Sequence, residues 1–104
     1  MDAELLEFIH LFNSRKFFES HEVLEKKWLR CRGKDKLFYQ GLIQLAVALA
    51  HHVRGNSGGA KRTFSNSKKK LKKFFPRYLG LAVQNLTVKT EKYLNQGDKI
   101  PIIL

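Results

Sequence analysis

The residues best placed to do chemistry lie in FFESHEVLEKKW, residues 17–28, where His21, Glu25 and Trp28 are spaced by four and three. On a helix those steps put all three on one stripe, with Phe17 and Leu24 on the same side. The stripe therefore points inward. A carboxylate held there needs a partner, because burying it alone costs several kcal/mol, on the order of 2–7 even for a neutral polar group. Three chemistries fit. A hydrogen-bond network would fix the register of two helices. A metal site would use His21 and Glu25 on one divalent ion, with His51 or His52 as a third ligand. A small-ligand or catalytic pocket would use His21 and Glu25 as an acid–base pair.

The partners must come from the next apolar segment. Gln40, Gln44 and His51 follow at intervals of four and seven and form a polar seam on an otherwise apolar helix. Laid against that seam, Glu25 accepts from Gln44, from His51 or from a tyrosine such as Tyr39. Trp28 shields one end as a wall, and its indole N–H is a donor for the network. No HExxH motif, cysteine-rich zinc pattern, nucleophile elbow or glycine-rich phosphate loop is present.

The elements that position these residues are helical throughout. Leu5, Phe8, Ile9 and Phe12 predict a first helix. A second runs from about 15 to 32, with Gly33 as its C′ residue. Asp35 caps a third, about 35–53, whose segment FYQGLIQLAVALAHH is apolar nearly all round. Such a helix has to be surrounded by others. A fourth spans about 59–75 with Phe64, Ser67, Leu71, Phe74 and Tyr78 inward, and Pro76 ends or kinks it. A fifth turns Leu79, Ala82, Val83, Leu86, Tyr93 and Leu94 inward. The expected fold is an all-α, single-domain bundle of about five helices around a buried central helix. The apolar tail 98–104 contains Pro101 and is expected to lie extended against the bundle or a partner, which leaves a homo-oligomer open.

With 104 residues the chain is long enough for one core without staples. A single cysteine, Cys31, rules out an internal disulfide and suits a reducing compartment such as the cytoplasm. The N-terminus lacks the pattern of a signal peptide. Leu37–Val53 is short for a membrane span and carries Gln40, Gln44, His51 and His52, so no transmembrane segment is expected.

Charge is unevenly placed. Residues 1–52 hold eight Lys/Arg against seven Asp/Glu, and residues 53–104 hold twelve against two. The excess concentrates in SKKKLKKFFPRY, residues 67–78. Lys61, Arg62, Lys68, Lys69, Lys72 and Lys73 are candidates to contact a polyanion, either a nucleic acid or an acidic protein. A lysine coat that merely keeps the domain soluble is the competing explanation. Lysine predominates over arginine and no exposed aromatic alternates with it, which argues against specific nucleic-acid recognition.

Two blocks, FNSRKFFESHEVLEKKW and FYQGLIQLAVALAHHVRGNSGGA, resemble the domain-of-unknown-function family 309. His21, Glu25 and Trp28 match its HxxxExxW motif position for position, and the likeness covers roughly residues 10–75. The resemblance implies a helical bundle with a buried central helix, a functional role for HxxxExxW with metal binding suggested, and a plastid stroma location for plastid-encoded members. It implies no particular activity. Arg15-Lys16 stands where the family often has a small residue or glycine, which is expected to alter only the turn into the second helix.

Overall fold

The computed structural model describes residues 2–96, so the expected arrangement of the tail 98–104 lies outside the described residues. Five helices form an all-α bundle: α1 Ala3–Asn13, α2 Phe17–Arg30, α3 Gly33–Val53, α4 Ser57–Leu71 and α5 Val83–Gln96, with a 3-10 turn over Lys72–Phe74. Helix α3 is central, packing chiefly on α4 and α2 and also on α5, while α1 packs on α2. Phe38, Tyr39, Leu42, Leu45, Ala46 and Leu49 of α3 are buried beside Leu5, Phe8 and Phe12 of α1, Leu24 of α2, Leu71 of α4 and Val83, Leu86 and Tyr93 of α5. Each fully buried leucine or phenylalanine contributes about 1.5–3 kcal/mol.

Polar residues on inner faces find local acceptors. Ser20 donates to the carbonyl of Phe17, Thr87 to Val83 and Thr90 to Leu86. Ser67 of α4 donates across the helix crossing to the carbonyl of Gly41, at 2.7 Å. Gly41 permits that approach. A Cβ built there would lie 2.7 Å from Leu71 Cδ2 and 3.4 Å from Lys70 Cβ.

The helix ends explain the turns. Asp2 caps α1 by accepting from the Leu5 N–H at 2.8 Å. At the other end, Arg15 N–H reaches Phe12 O and Lys16 N–H reaches Leu11 O. This pair of bonds is the Schellman closure, which wants a left-handed residue at the Arg15 position. Arg15 takes it with φ 61°. The same closure ends α3, where the position is Gly55, at φ 83°. The turn into α2 therefore uses a backbone conformation that glycine adopts without strain.

Three boundary expectations are corrected. Gly33 has positive φ but opens α3 instead of closing α2, whose C-cap is Cys31. Asp35 is not the cap of α3. It sits in the first turn, where it accepts from the Tyr78 hydroxyl, and the N-cap is Arg32. Finally, α4 ends at Leu71 and α5 begins at Val83, because residues 75–82 form a loop closed by mutual Tyr78–Leu81 backbone bonds. Leu79 and Gly80, at φ 49° and 85°, make the tight turn, so Leu79 is exposed rather than inward.

Candidate functional site

Helices α2 and α3 are joined by two residues and run antiparallel, so the C-terminal half of α2 faces the N-terminal half of α3. On α2, His21 is buried, edge-on to the Phe18 ring at 4.7 Å. Its Nε2 lies 3.1 Å from Glu25 Oε1, and its Nδ1 faces the carbonyl of Phe18. Both ring nitrogens thus face acceptors. Glu25 is not buried as expected. Its side chain is 56% exposed, at the rim of the helix pair.

Beside that rim a groove of about 440 Å³ opens between the two helices. Glu25, Trp28 and Leu29 form one wall, and Gln40, Ile43 and Gln44 form the other. The expected juxtaposition of Glu25 and Trp28 with Gln40 and Gln44 is therefore present. Trp28 does line the groove, but its buried indole N–H has no acceptor among the described residues. The Lys36 ammonium stands 4.4 Å from the centroid of the same ring. Gln44 Oε1 accepts from Lys70 of α4 at 2.9 Å, which leaves its amide protons to other partners.

Two expected partners of Glu25 lie elsewhere. Tyr39 donates to Asp2 at 3.0 Å, and Lys27 closes that cluster 3.3 Å from the same carboxylate oxygen. Burial pushes the Asp2 carboxyl up, but the Leu5 N–H, Tyr39 and Lys27 more than offset it and hold it below its ordinary 3.8. Burial, then the Asp2 contact, pushes the Tyr39 hydroxyl well above its ordinary range. His51 is half-buried near the far end of α3 and is not a wall of the groove. The ring of His52 packs on Tyr93, with centroids 5.2 Å apart.

These placements weigh on the metal reading. His21 and Glu25 supply two donors on one helix, and neither His51 nor His52 is brought up as a third. Among the described residues no group of three or more His, Cys, Asp or Glu converges to hold an ion.

Sequence reasoning missed Leu29 and Ile43 as groove residues, and Lys36 and Lys70 as contacts of the groove side chains Trp28 and Gln44. The hairpin register brings Ile43 to the groove and Lys36 over the Trp28 ring, and the α3–α4 crossing brings Lys70 to Gln44, so no spacing within a single helix announces them. Leu29 carried a local signal only in being an apolar residue one position past the motif, and the structure leaves it 71% exposed.

The basic helix divides into two kinds of lysine. Lys68 pairs with Glu91 of α5 at 3.1 Å, and Lys70 is turned to Gln44. Lys61, Arg62, Lys69, Lys72 and Lys73 are exposed. No helix among the described residues is long and apolar enough to cross a membrane.

The family model described as "Domain of unknown function (DUF309)" matches residues 5–63, more than half of the chain. The uncharacterized protein YpuF of Bacillus subtilis (strain 168) is 51% identical over 55 residues, covering 52% of this chain and 32% of YpuF. The chain thus aligns with about a third of that relative's length. The crystal structure of a conserved hypothetical protein, TTHA0068 from Thermus thermophilus, superposes with a TM-score of 0.82 at 27% identity, covering 91% of this chain and 99% of that one.

Proposed function

This chain belongs to the domain-of-unknown-function family 309, and we propose that it is a small binding or accessory protein whose ligand site is the α2–α3 groove. One observation carries the reading: Trp28, whose buried indole N–H has no acceptor among the described residues, forms part of the groove wall. Leaving such a donor unmet costs about 1–3 kcal/mol, which a ligand acceptor would recover on turning the ring edge toward the groove. Leu29 and Ile43 add apolar wall, and the Glu25 carboxylate is an acceptor on the rim. A donor and an acceptor around an apolar slot complement an amide on an apolar stem, as in a short peptide or a small carboxamide. His21 acts through Glu25, holding its carboxylate toward the rim by the 3.1 Å contact.

Because Trp28 is the single tryptophan, its indole N–H gives one isolated signal in a ¹H–¹⁵N spectrum. Titration with amide-bearing fragments and short capped peptides is expected to move that proton downfield as it gains an acceptor. Glu25→Ala is expected to weaken the same titration. An indole signal that stays fixed while every fragment at millimolar concentration fails to perturb Leu29 and Ile43 would end the reading. Elemental analysis of protein purified without chelator separates the metal alternative. One ion per chain, lost in Glu25→Ala, would replace the amide site by a metal site.

A further inference from the structure

We propose that the outer face of α4 and the turn after it docks on the phosphate backbone of a nucleic-acid duplex. This surface is separate from the α2–α3 groove. Lys61, Arg62, Lys69, Lys72 and Lys73 are all exposed, and the residues between them on this face, Ser65 and Asn66, are exposed and polar. Helix α4 and its 3-10 extension contain no acidic residue. The neighbouring carboxylate on α5, Glu91, is taken by Lys68, which sits at the edge of the face. The five cations therefore stand as a continuous positive strip.

The geometry of the strip suits phosphates. From Lys61 to Lys73 the helix rises about 18 Å. Phosphates on one duplex strand follow every 3.4 Å or so along the axis, so about five fall within that length. A protein partner fits less well. Protein interfaces centre on buried apolar or aromatic side chains and are depleted in lysine, whereas this face has neither an exposed aromatic nor an exposed aliphatic residue. A lipid surface also fits less well, because the apolar side of α4, with Phe64 and Leu71, is already buried in the bundle and has nothing left to insert. Without aromatics to stack on bases, binding should follow the backbone and ignore sequence.

The test is fluorescence anisotropy with a labelled duplex of about 20 base pairs and arbitrary sequence, measured on the full chain between about 50 and 200 mM salt. Five phosphate contacts predict that log K falls against log salt with a slope of about −4.5. The variant Lys69→Glu/Lys72→Glu/Lys73→Glu leaves two, so its slope is expected near about −2, with affinity at least roughly tenfold lower at about 100 mM salt. Lys26→Glu/Arg32→Glu/Lys34→Glu makes the same change in net charge on the α2–α3 side and is expected to bind within about threefold of the parent. Single Lys69→Gln and Lys72→Gln variants guard against misfolding of the triple variant, and each should lower the slope by about one. Equal losses in the two triple variants would reduce the effect to net charge and overturn the proposal. So would a salt-independent signal, or no binding at the lowest salt. Binding of polyglutamate or anionic vesicles as tightly as the duplex, with the same dependence on Lys69, Lys72 and Lys73, would overturn it in favour of that partner.

Discussion

His21 Nε2 and Glu25 Oε1 stand 3.1 Å apart across one turn of α2, with the histidine 10% and the glutamate 56% exposed by side chain. The pair straddles the boundary between core and solvent. The imidazole faces the Phe18 carbonyl one turn earlier in the same helix, and the carboxylate is offered outward at the groove. Such an arrangement positions a carboxylate more than it stabilises a fold.

Glu25→Gln is accordingly expected to cost less than about 0.5 kcal/mol, the scale of a solvent-exposed pair one helical turn apart. Urea unfolding followed by circular dichroism measures this. A loss above about 2 kcal/mol would make the pair a structural network and remove the motive for placing a ligand on it.

Gly41→Ala should destabilise the bundle by about 1–3 kcal/mol, the usual cost of overpacking a tight crossing. The sign is informative, since alanine in an open helix position would stabilise by about 1 kcal/mol. Here the added methyl meets Leu71 at 2.7 Å, and the Ser67 bond to the Gly41 carbonyl holds α4 in place against it. A raised melting temperature would show that α4 can withdraw without cost.

Arg15 isolates a backbone effect. It occupies the left-handed region while its guanidinium donates to the Tyr93 hydroxyl at 3.0 Å. Arg15→Ala and Arg15→Gly both remove the side chain, so their difference reads the backbone alone. The glycine variant is expected to be the more stable by about 1–2 kcal/mol. Equal stabilities would mean that the turn relaxes out of the left-handed region.

Asp2 sets an acid dependence. Its carboxyl is held below the ordinary 3.8 when folded, so the stability it contributes is full above that value. The contribution is lost as pH falls through the lower folded value, when the cap of α1 and the contacts to Tyr39 and Lys27 lose their charge. Asp2→Asn should therefore flatten the decline of stability below about pH 4 relative to the parent, in urea midpoints measured across that range. Parallel declines would assign the acid sensitivity to other groups.

Much of the architecture was legible because helical periodicity is local. Leu5, Phe8 and Phe12 declare a buried stripe by their spacing, and so do Phe64, Ser67, Leu71 and Phe74. The apolar girdle of residues 38–50 announced a surrounded helix. The loop at 75–82 was harder to see, since Leu79 continues the apolar pattern while the Tyr78–Leu81 backbone bonds decide the conformation.

By itself the sequence determined that His21, Glu25 and Trp28 share one face of a helix, and that Gln40 and Gln44 share a face of the next. Those relations follow from about 3.6 residues per turn. Which of these side chains would be buried was decided only by tertiary packing. His21 and Glu25 are rotated about 40° from each other around α2, enough to place one in the core and the other on the rim once α3 is laid alongside. Packing likewise turned Tyr39 to Asp2, which caps α1, set Lys36 over the Trp28 ring and brought Lys70 from α4 to Gln44. Each of the contacts made between helices joins residues whose separation depends on where those helices cross, a property that no spacing within a single helix contains.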